Sequence, residues 1–192
     1  MAAEIFHLKP FEPIGSDTKL SITGMVTLEG TRLTIAYLLS GGLEKVAIAP
    51  LDSEGTRPKG TRRDRLWEQT CFEFFLTSSS KPTAHTPYWE FNLSPSKEWN
   101  IFSLDKYRQG KKEELAISHL PFDVEKREED IYIDLEMDTS TLTSIDQSLW
   151  LGVSAVVLLK TGQQTFWAIT HPSLAADFHH PESFVLSLDP SP

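Results

Sequence analysis

Cysteine is almost absent from this chain. Cys71 stands alone, which rules out an intrachain disulfide framework and fits a reducing compartment. Long apolar runs are also missing: no stretch approaches the ~20 residues that a membrane helix needs. Residues 1–13 have no basic segment followed by an apolar one, so no secretory leader is read and the expected location is cytoplasmic. Positive charge is the minority sign, with 18 Lys and Arg against 27 Asp and Glu and a net charge of -9. Binding a polyanion calls for the opposite sign, so nucleic acid and membrane are not expected partners. One local exception exists, where Arg57, Lys59, Arg62, Arg63 and Arg65 cluster between two strands. A helical period of 3.6 is nearly absent as well.

What is present is a period of two. Leu20, Ile22, Val26 and Leu28 read as one strand, and Leu33, Ile35, Tyr37 and Leu39 as its hairpin partner across Glu29-Gly30. Residues 45–49 read as a short strand ended by Pro50. A polar loop over 51–65 follows, too polar to bury. Trp99, Ile101 and Phe102 suggest another short strand. Ile131, Ile133, Leu135 and Met137 alternate with Tyr132, Asp134, Glu136 and Asp138, as in a half-buried strand. Residues 139–148 are the best candidate for a short helix capped by Thr or Ser. Residues 149–159 are nearly all apolar and read as a central strand buried on both faces. Residues 165–170 pair with it across Thr161-Gly162, and Phe184, Leu186 and Leu188 finish the sheet. About ten strands with short turns predict an all-β antiparallel sandwich or barrel. The 192 residues fit one domain, 1–192, without a linker or repeat.

The chemistry concentrates in two strands. Phe72, Phe74 and Leu76 alternate with Cys71, Glu73 and Phe75. Trp89, Phe91 and Leu93 alternate with Tyr88, Glu90 and Asn92. With the first set of each in the core, Glu73, Glu90 and Asn92 share the opposite face. Two carboxylates and an amide can hydrogen-bond sugar hydroxyls while a Trp stacks on the ring, and an apolar wall with a few placed polar groups describes most small-ligand sites. The competing reading is a solvated face with the acids paired to Lys or Arg.

Other clusters are weaker. His171, Asp177, His179 and His180 are ligand-type residues, but their spacing matches no zinc motif, and no metal or other cofactor is expected. Cys71 lies mid-strand and reads as a structural thiol. Glu73 and Glu90 could fall within the roughly 5–9.5 Å that glycoside hydrolysis requires, which keeps a sugar- or ester-directed hydrolase open. Tyr107-Arg108 could extend a ligand wall by a cation–π stack.

Three blocks carry a family resemblance. These are Leu66-Trp67-Glu68-Gln69-Thr70-Cys71-Phe72-Glu73-Phe74, then Glu90-Phe91-Asn92-Leu93-Ser94-Pro95-Ser96 with Trp99-Asn100-Ile101-Phe102, and the closing Trp167-Ala168 with His171-Pro172 and Asp177 to Phe184. Together they resemble the DOMON-like group of bacterial proteins, related to the family 9 carbohydrate-binding modules. The resemblance implies a jelly-roll-like β-sandwich with a ligand site on one face or at one end, and relatives bind sugars between aromatic rings, or haem. Met25 and Met137 have no evident role as haem ligands. By position, the ligand-binding candidates are Trp67, Glu73, Glu90, Asn92, Trp99, Arg108 and Trp167. The leading expectation is a non-catalytic module for a carbohydrate or similar polyhydroxylated small molecule. A hydrolase and a protein-interaction module are the alternatives, and the oligomeric state is not encoded.

Overall fold

A computed structural model describes residues 2–15, 18–48, 60–79, 81–144 and 147–189. Within them lie β1 (Ala2–Pro10), β2 (Ser21–Glu29), β3 (Arg32–Ser40), β4 (Cys71–Thr77), β5 (Tyr88–Leu93) and β6 (Trp99–Leu104). The remainder are β7 (Lys112–Glu113), β8 (Phe122–Lys126), β9 (Asp130–Asp138), β10 (Leu149–Leu158), β11 (Gln164–Ala168) and β12 (Leu186–Leu188). They form one curled sheet in the order β7-β6-β5-β4-β10-β11-β1-β2-β3-β9-β8, with β12 beside β10. Every described pairing is antiparallel.

The sheet bends at β1, which pairs with β2 along most of its length and with β11 at Lys9↔Ala168 and Pro10↔Trp167. The two halves thus face each other as an all-β sandwich, and alternating side chains from both fill one core. Tyr37 of β3 crosses it, packing on Phe72 of β4 and donating its hydroxyl to the Glu73 carbonyl at 2.9 Å. Phe74 and Phe91 stack 4.2 Å apart on the same inner face. Gly24 on β2 has to be glycine: a Cβ there would lie 2.1 Å from the Ala36 carbonyl oxygen and 2.3 Å from the Phe6 ring.

Two predicted elements are corrected. The strand over 45–49 is instead a 3₁₀ turn, Leu43–Lys45, followed by one bridge, Val46↔Leu159. Gly41 and Gly42 both take positive φ ahead of that turn, and around the bridge the Ala47 N–H donates to the Leu158 carbonyl and the Lys45 carbonyl accepts from Lys160. Ala49, Pro50 and the loop over 51–59, with Arg57 and Lys59, lie outside the described residues. The helix over 139–148 reduces to one 3₁₀ turn, Thr139–Thr141, and its cap is Asp138, whose carboxylate accepts the Ser140 N–H. Residues 145 and 146 are outside the described set. Strands β1, β7 and β8 were not predicted. Only Phe6 and Leu8 of β1 are fully buried, and β8 buries no residue fully, so neither shows a sustained apolar alternation.

The described members of the basic cluster, Arg62, Arg63 and Arg65, are committed to structure. Arg62 stacks its guanidinium 4.3 Å over Trp99 and donates to Asn100 Oδ1 and the Glu114 and Ile117 carbonyls. Arg63 pairs with Glu98 at 3.0 Å, and Arg65 pairs with Glu68.

Candidate functional site

Register builds the site. Ser154, Glu73, Asn92 and Asn100 stand opposite one another across β10, β4, β5 and β6, so they share one face. The next row on that face is Gly152, Phe75, Glu90 and Phe102. This is the outer face, away from the main core, yet Glu73 is 4% and Glu90 3% exposed. A second hydrophobic cluster covers it, formed by Phe75, Tyr88, Phe102, Leu104 and Phe184 with Trp67, Trp150 and Phe178 against them. The face is therefore not solvated, although Glu90 is paired to a lysine as the competing reading expected: a turn at Leu66–Glu68 and the segment over 176–184 roof the sheet.

Between roof and sheet a cleft of about 500 Å³ remains, lined by Trp67, Glu73, Glu90, Arg108, Lys111 and His179 among others. Its size falls in the range of small-molecule sites. The turn that carries Trp67 is held by hydrogen bonds against local strain. Arg65 takes φ 60 just before it, and Gln164 of β11 donates to the Trp67 carbonyl at 2.9 Å. Arg108 on the other wall also takes a left-handed φ of 53. Non-glycine residues reach this region at a cost of about 1 kcal/mol, and such strain gathers at functional sites.

Lys111 organises the cleft floor. Its ammonium lies 4.1 Å from the Trp67 ring centroid and 4.0 Å from that of Phe102, and it pairs with Glu90 at 3.0 Å. Asn92 is fully buried beneath and donates to Glu90 Oε1 at 2.9 Å. Glu73 is different. Its Oε1 has no hydrogen-bond partner among the described residues, nor has the hydroxyl of neighbouring Ser154. Burial, reinforced by the charge of Glu90 and only partly offset by Lys111, pushes the Glu73 carboxyl up to about 8. At neutral pH it is a carboxylic acid and carries a proton it can donate.

The roof is fastened by Asp177. Its carboxylate accepts from Tyr107 at 2.5 Å, from Arg108 at 2.7 Å and from the His179 N–H at 3.2 Å. Burial works against ionisation of Asp177, but those hydrogen bonds and the Arg108 charge outweigh it and hold the carboxyl below its ordinary value. Behind it, the Arg108 N–H donates to the Tyr88 hydroxyl. That hydroxyl also shares a hydrogen bond with His179 Nδ1 at 2.8 Å, and His179 Nε2 lies 3.9 Å from Glu90. Burial depresses His179 to about 4, so the ring is neutral. Asp177→Ala is expected to loosen the roof by about 1–2 kcal/mol. Amide exchange over 177–184 should speed up while the sheet stays protected, and unchanged exchange there would refute the fastening role.

Of the sequence candidates, Trp67, Glu73, Glu90 and Arg108 meet at this cleft, and Asn92 supports it from beneath. Trp99 and Trp167 do not line it. Both rings are in the main core, 1% and 2% exposed, because their registers point inward. Trp99 spends its indole N–H on the Gly60 carbonyl at 2.6 Å, and Trp167 spends its own on Thr165. Among the lining residues that the sequence did not single out as ligand contacts are Lys111, Gln164, Phe178 and His179. Lys111 gave no signal, since its partners are distant in the chain. Phe178 stood in the His-rich block read as a possible metal segment. Among the described residues no group of three or more His, Cys, Asp or Glu is placed to hold a metal ion. His171 instead meets the Lys9 carbonyl, and His180 accepts the Glu182 N–H.

No protein-family model matches the chain, and comparison with curated proteins finds no match. Solved structures do match. A candidate carbohydrate-binding protein from Bacteroides uniformis ATCC 8492 superposes with a TM-score of 0.61 at 14% identity, over 97% of this chain and 87% of the other. A family 9 carbohydrate-binding module from Caldicellulosiruptor kristjanssonii, solved with glucose, gives 0.53 at 7% identity, over 92% and 80%. The same kind of module with cellotriose gives 0.54 at 7%, over 95% and 82%. At these identities the likeness is one of fold, and the chain shares its curled β-sandwich with the family 9 carbohydrate-binding modules.

Proposed function

We propose that this protein is a non-catalytic carbohydrate-binding module of the DOMON-like kind, acting in the cytoplasm. It takes a sugar or similar polyol into the cleft between Trp67 and Glu73. The observation that carries the reading is a cleft roofed by rings whose floor keeps an unused hydrogen-bonding group, Glu73 Oε1. Neighbours of the same fold were solved with glucose and cellotriose bound. Trp67 supplies the ring wall, Glu90 and Lys111 form a charged pair beside it, and Arg108 closes the far side. A fully buried Trp face is worth about 4–6 kcal/mol before association costs. Those costs are large, so one such ring supports roughly micromolar to millimolar binding.

Calorimetric titration with glucose, cellotriose and a panel of neutral sugars tests the reading. Trp67→Ala is expected to weaken binding by about tenfold or more with circular dichroism unchanged. Silence of the wild-type protein toward the whole panel, or an undiminished affinity in the variant, would remove this assignment.

Glu73 also favours a second reading. A buried carboxyl raised to about 8 beside a second carboxylate is suited to general-acid work on a glycosidic oxygen. Turnover of chromogenic glycosides that disappears in Glu73→Gln would replace the binding module with a hydrolase.

A further inference from the structure

The charges around the cleft are already matched. Lys111 is paired with Glu90 at 3.0 Å and Arg108 with Asp177 at 2.7 Å. The groups that surround Glu73 come from several elements. Glu90 and Asn92 stand on β5, Cys71 and Phe75 on its own strand, Ser154 and Val156 on β10. Arg108, Lys111, Gln164 and His179 are the polar lining residues that other segments bring to the cleft. Lys111 and Arg108 are the cations of this set, and their partners are Glu90 and Asp177. Asn92 gives its amide protons to Glu90, and the Cys71 thiol faces Asn92 Oδ1 at 3.7 Å. Glu73 is thus a carboxyl at the cleft without a matching charge of its own, and its Oε1 is buried with no hydrogen-bond partner among the described residues.

Building on the sugar-binding reading, we propose that Glu73 acts in binding as an uncharged acid that donates its proton to an oxygen of the ligand, and that the cleft therefore selects neutral polyols and rejects uronates. The selection follows from desolvation. An anionic ligand entering here would bring a buried charge with no spare cation to meet it, which costs several kcal/mol. A neutral hydroxyl or ring oxygen costs little once it accepts the Glu73 proton. The raised carboxyl gives the proposal a pH signature. Binding should hold on the acid side of about 8 and weaken above it, by about tenfold for each further unit.

The experiment is a titration with cellotriose and, separately, with glucuronate at pH 6, 7.5 and 9, with circular dichroism at each pH to confirm a folded sample. Wild-type protein is expected to bind cellotriose at pH 6 and 7.5, to lose about tenfold at pH 9, and to ignore glucuronate throughout. Glu73→Gln, which keeps a donor and cannot ionise, is expected to bind within about tenfold of wild type at pH 6 and to show no loss at pH 9. Glu73→Leu is expected to bind at no pH. A ligand-free readout accompanies these: an infrared band of a protonated carboxyl at pH 7, absent from Glu73→Gln. Cellotriose binding that is flat across the three pH values, glucuronate binding, or a missing band overturns the proposal and leaves the sugar-binding reading standing. Failure of cellotriose and of every neutral sugar in the panel removes both.

Discussion

Trp99→Ala should destabilise the protein by about 3–5 kcal/mol, the usual result of emptying a large core site. The ring is 1% exposed, lies under the Arg62 guanidinium and donates to the Gly60 carbonyl. Its loss strips Arg62 of its stacking partner while that side chain still bridges Asn100 to the Glu114 and Ile117 carbonyls. The cost therefore exceeds the apolar area alone. Urea unfolding measures it, and the melting temperature should fall by about 10 °C or more. Trp67→Ala makes the contrast, since that ring is half-buried at the cleft and its removal should be felt in ligand binding before stability. A Trp99→Ala protein that unfolds like wild type and has lost sugar binding would return that ring to the ligand wall.

Stability should also fall on the alkaline side. Glu73 rises from an ordinary 4.5 to about 8 through burial and the nearby charge of Glu90. A carboxyl raised in the folded state holds its proton more tightly there than when unfolded. Its stabilisation is complete below 4.5 and is lost as pH climbs through about 8. His179 is moved the other way, from 6.5 to about 4 by burial, so its share is complete above 6.5 and is lost as pH falls through about 4. Between 4.5 and 6.5 the two slopes oppose each other and stability is flat. Above 6.5 only the Glu73 slope remains, and at about 1.4 kcal/mol per unit the loss reaches roughly 2 kcal/mol by pH 8. Chemical denaturation at pH 5.5, 6.5 and 8 reads it directly. Glu73→Gln should flatten the limb above 6.5, and a wild-type curve without that limb would contradict an uncharged Glu73.

The strand pair over 71–93 was legible in the sequence because period two leaves no ambiguity about faces. Phe72, Phe74 and Phe91 had to point one way, and Glu73, Glu90 and Asn92 the other. What lay over the second face was not legible. The roof comes from residues near 67 and near 178, joined to the sheet by Asp177 and His179, and no local period records a contact between segments so far apart. Trp99 and Trp167 misled for a related reason. A Trp at a strand end suggests a ligand platform, and only the register across neighbouring strands decides which face it takes. The N-terminal strand was missed because Glu4, His7 and Lys9 interrupt its apolar residues. Its place is assigned by pairing rather than by composition.

That first strand has a consequence for how the chain comes together. β1 is the hinge through which the two halves of the sheet become one, and its pairing with β11 joins residues near the opposite ends of the chain, Lys9 to Ala168. Such a seam closes a longer loop than any other described strand pairing, and loop closure of this length is slow. During synthesis the β2-β3 hairpin can form as soon as it emerges. The sandwich cannot shut until β11 has followed, so the inner faces of β4 and β5 stay uncovered for most of translation. The protein's exposure to aggregation is set by that interval, and the seam, more than any single core residue, is where folding yield would be won or lost.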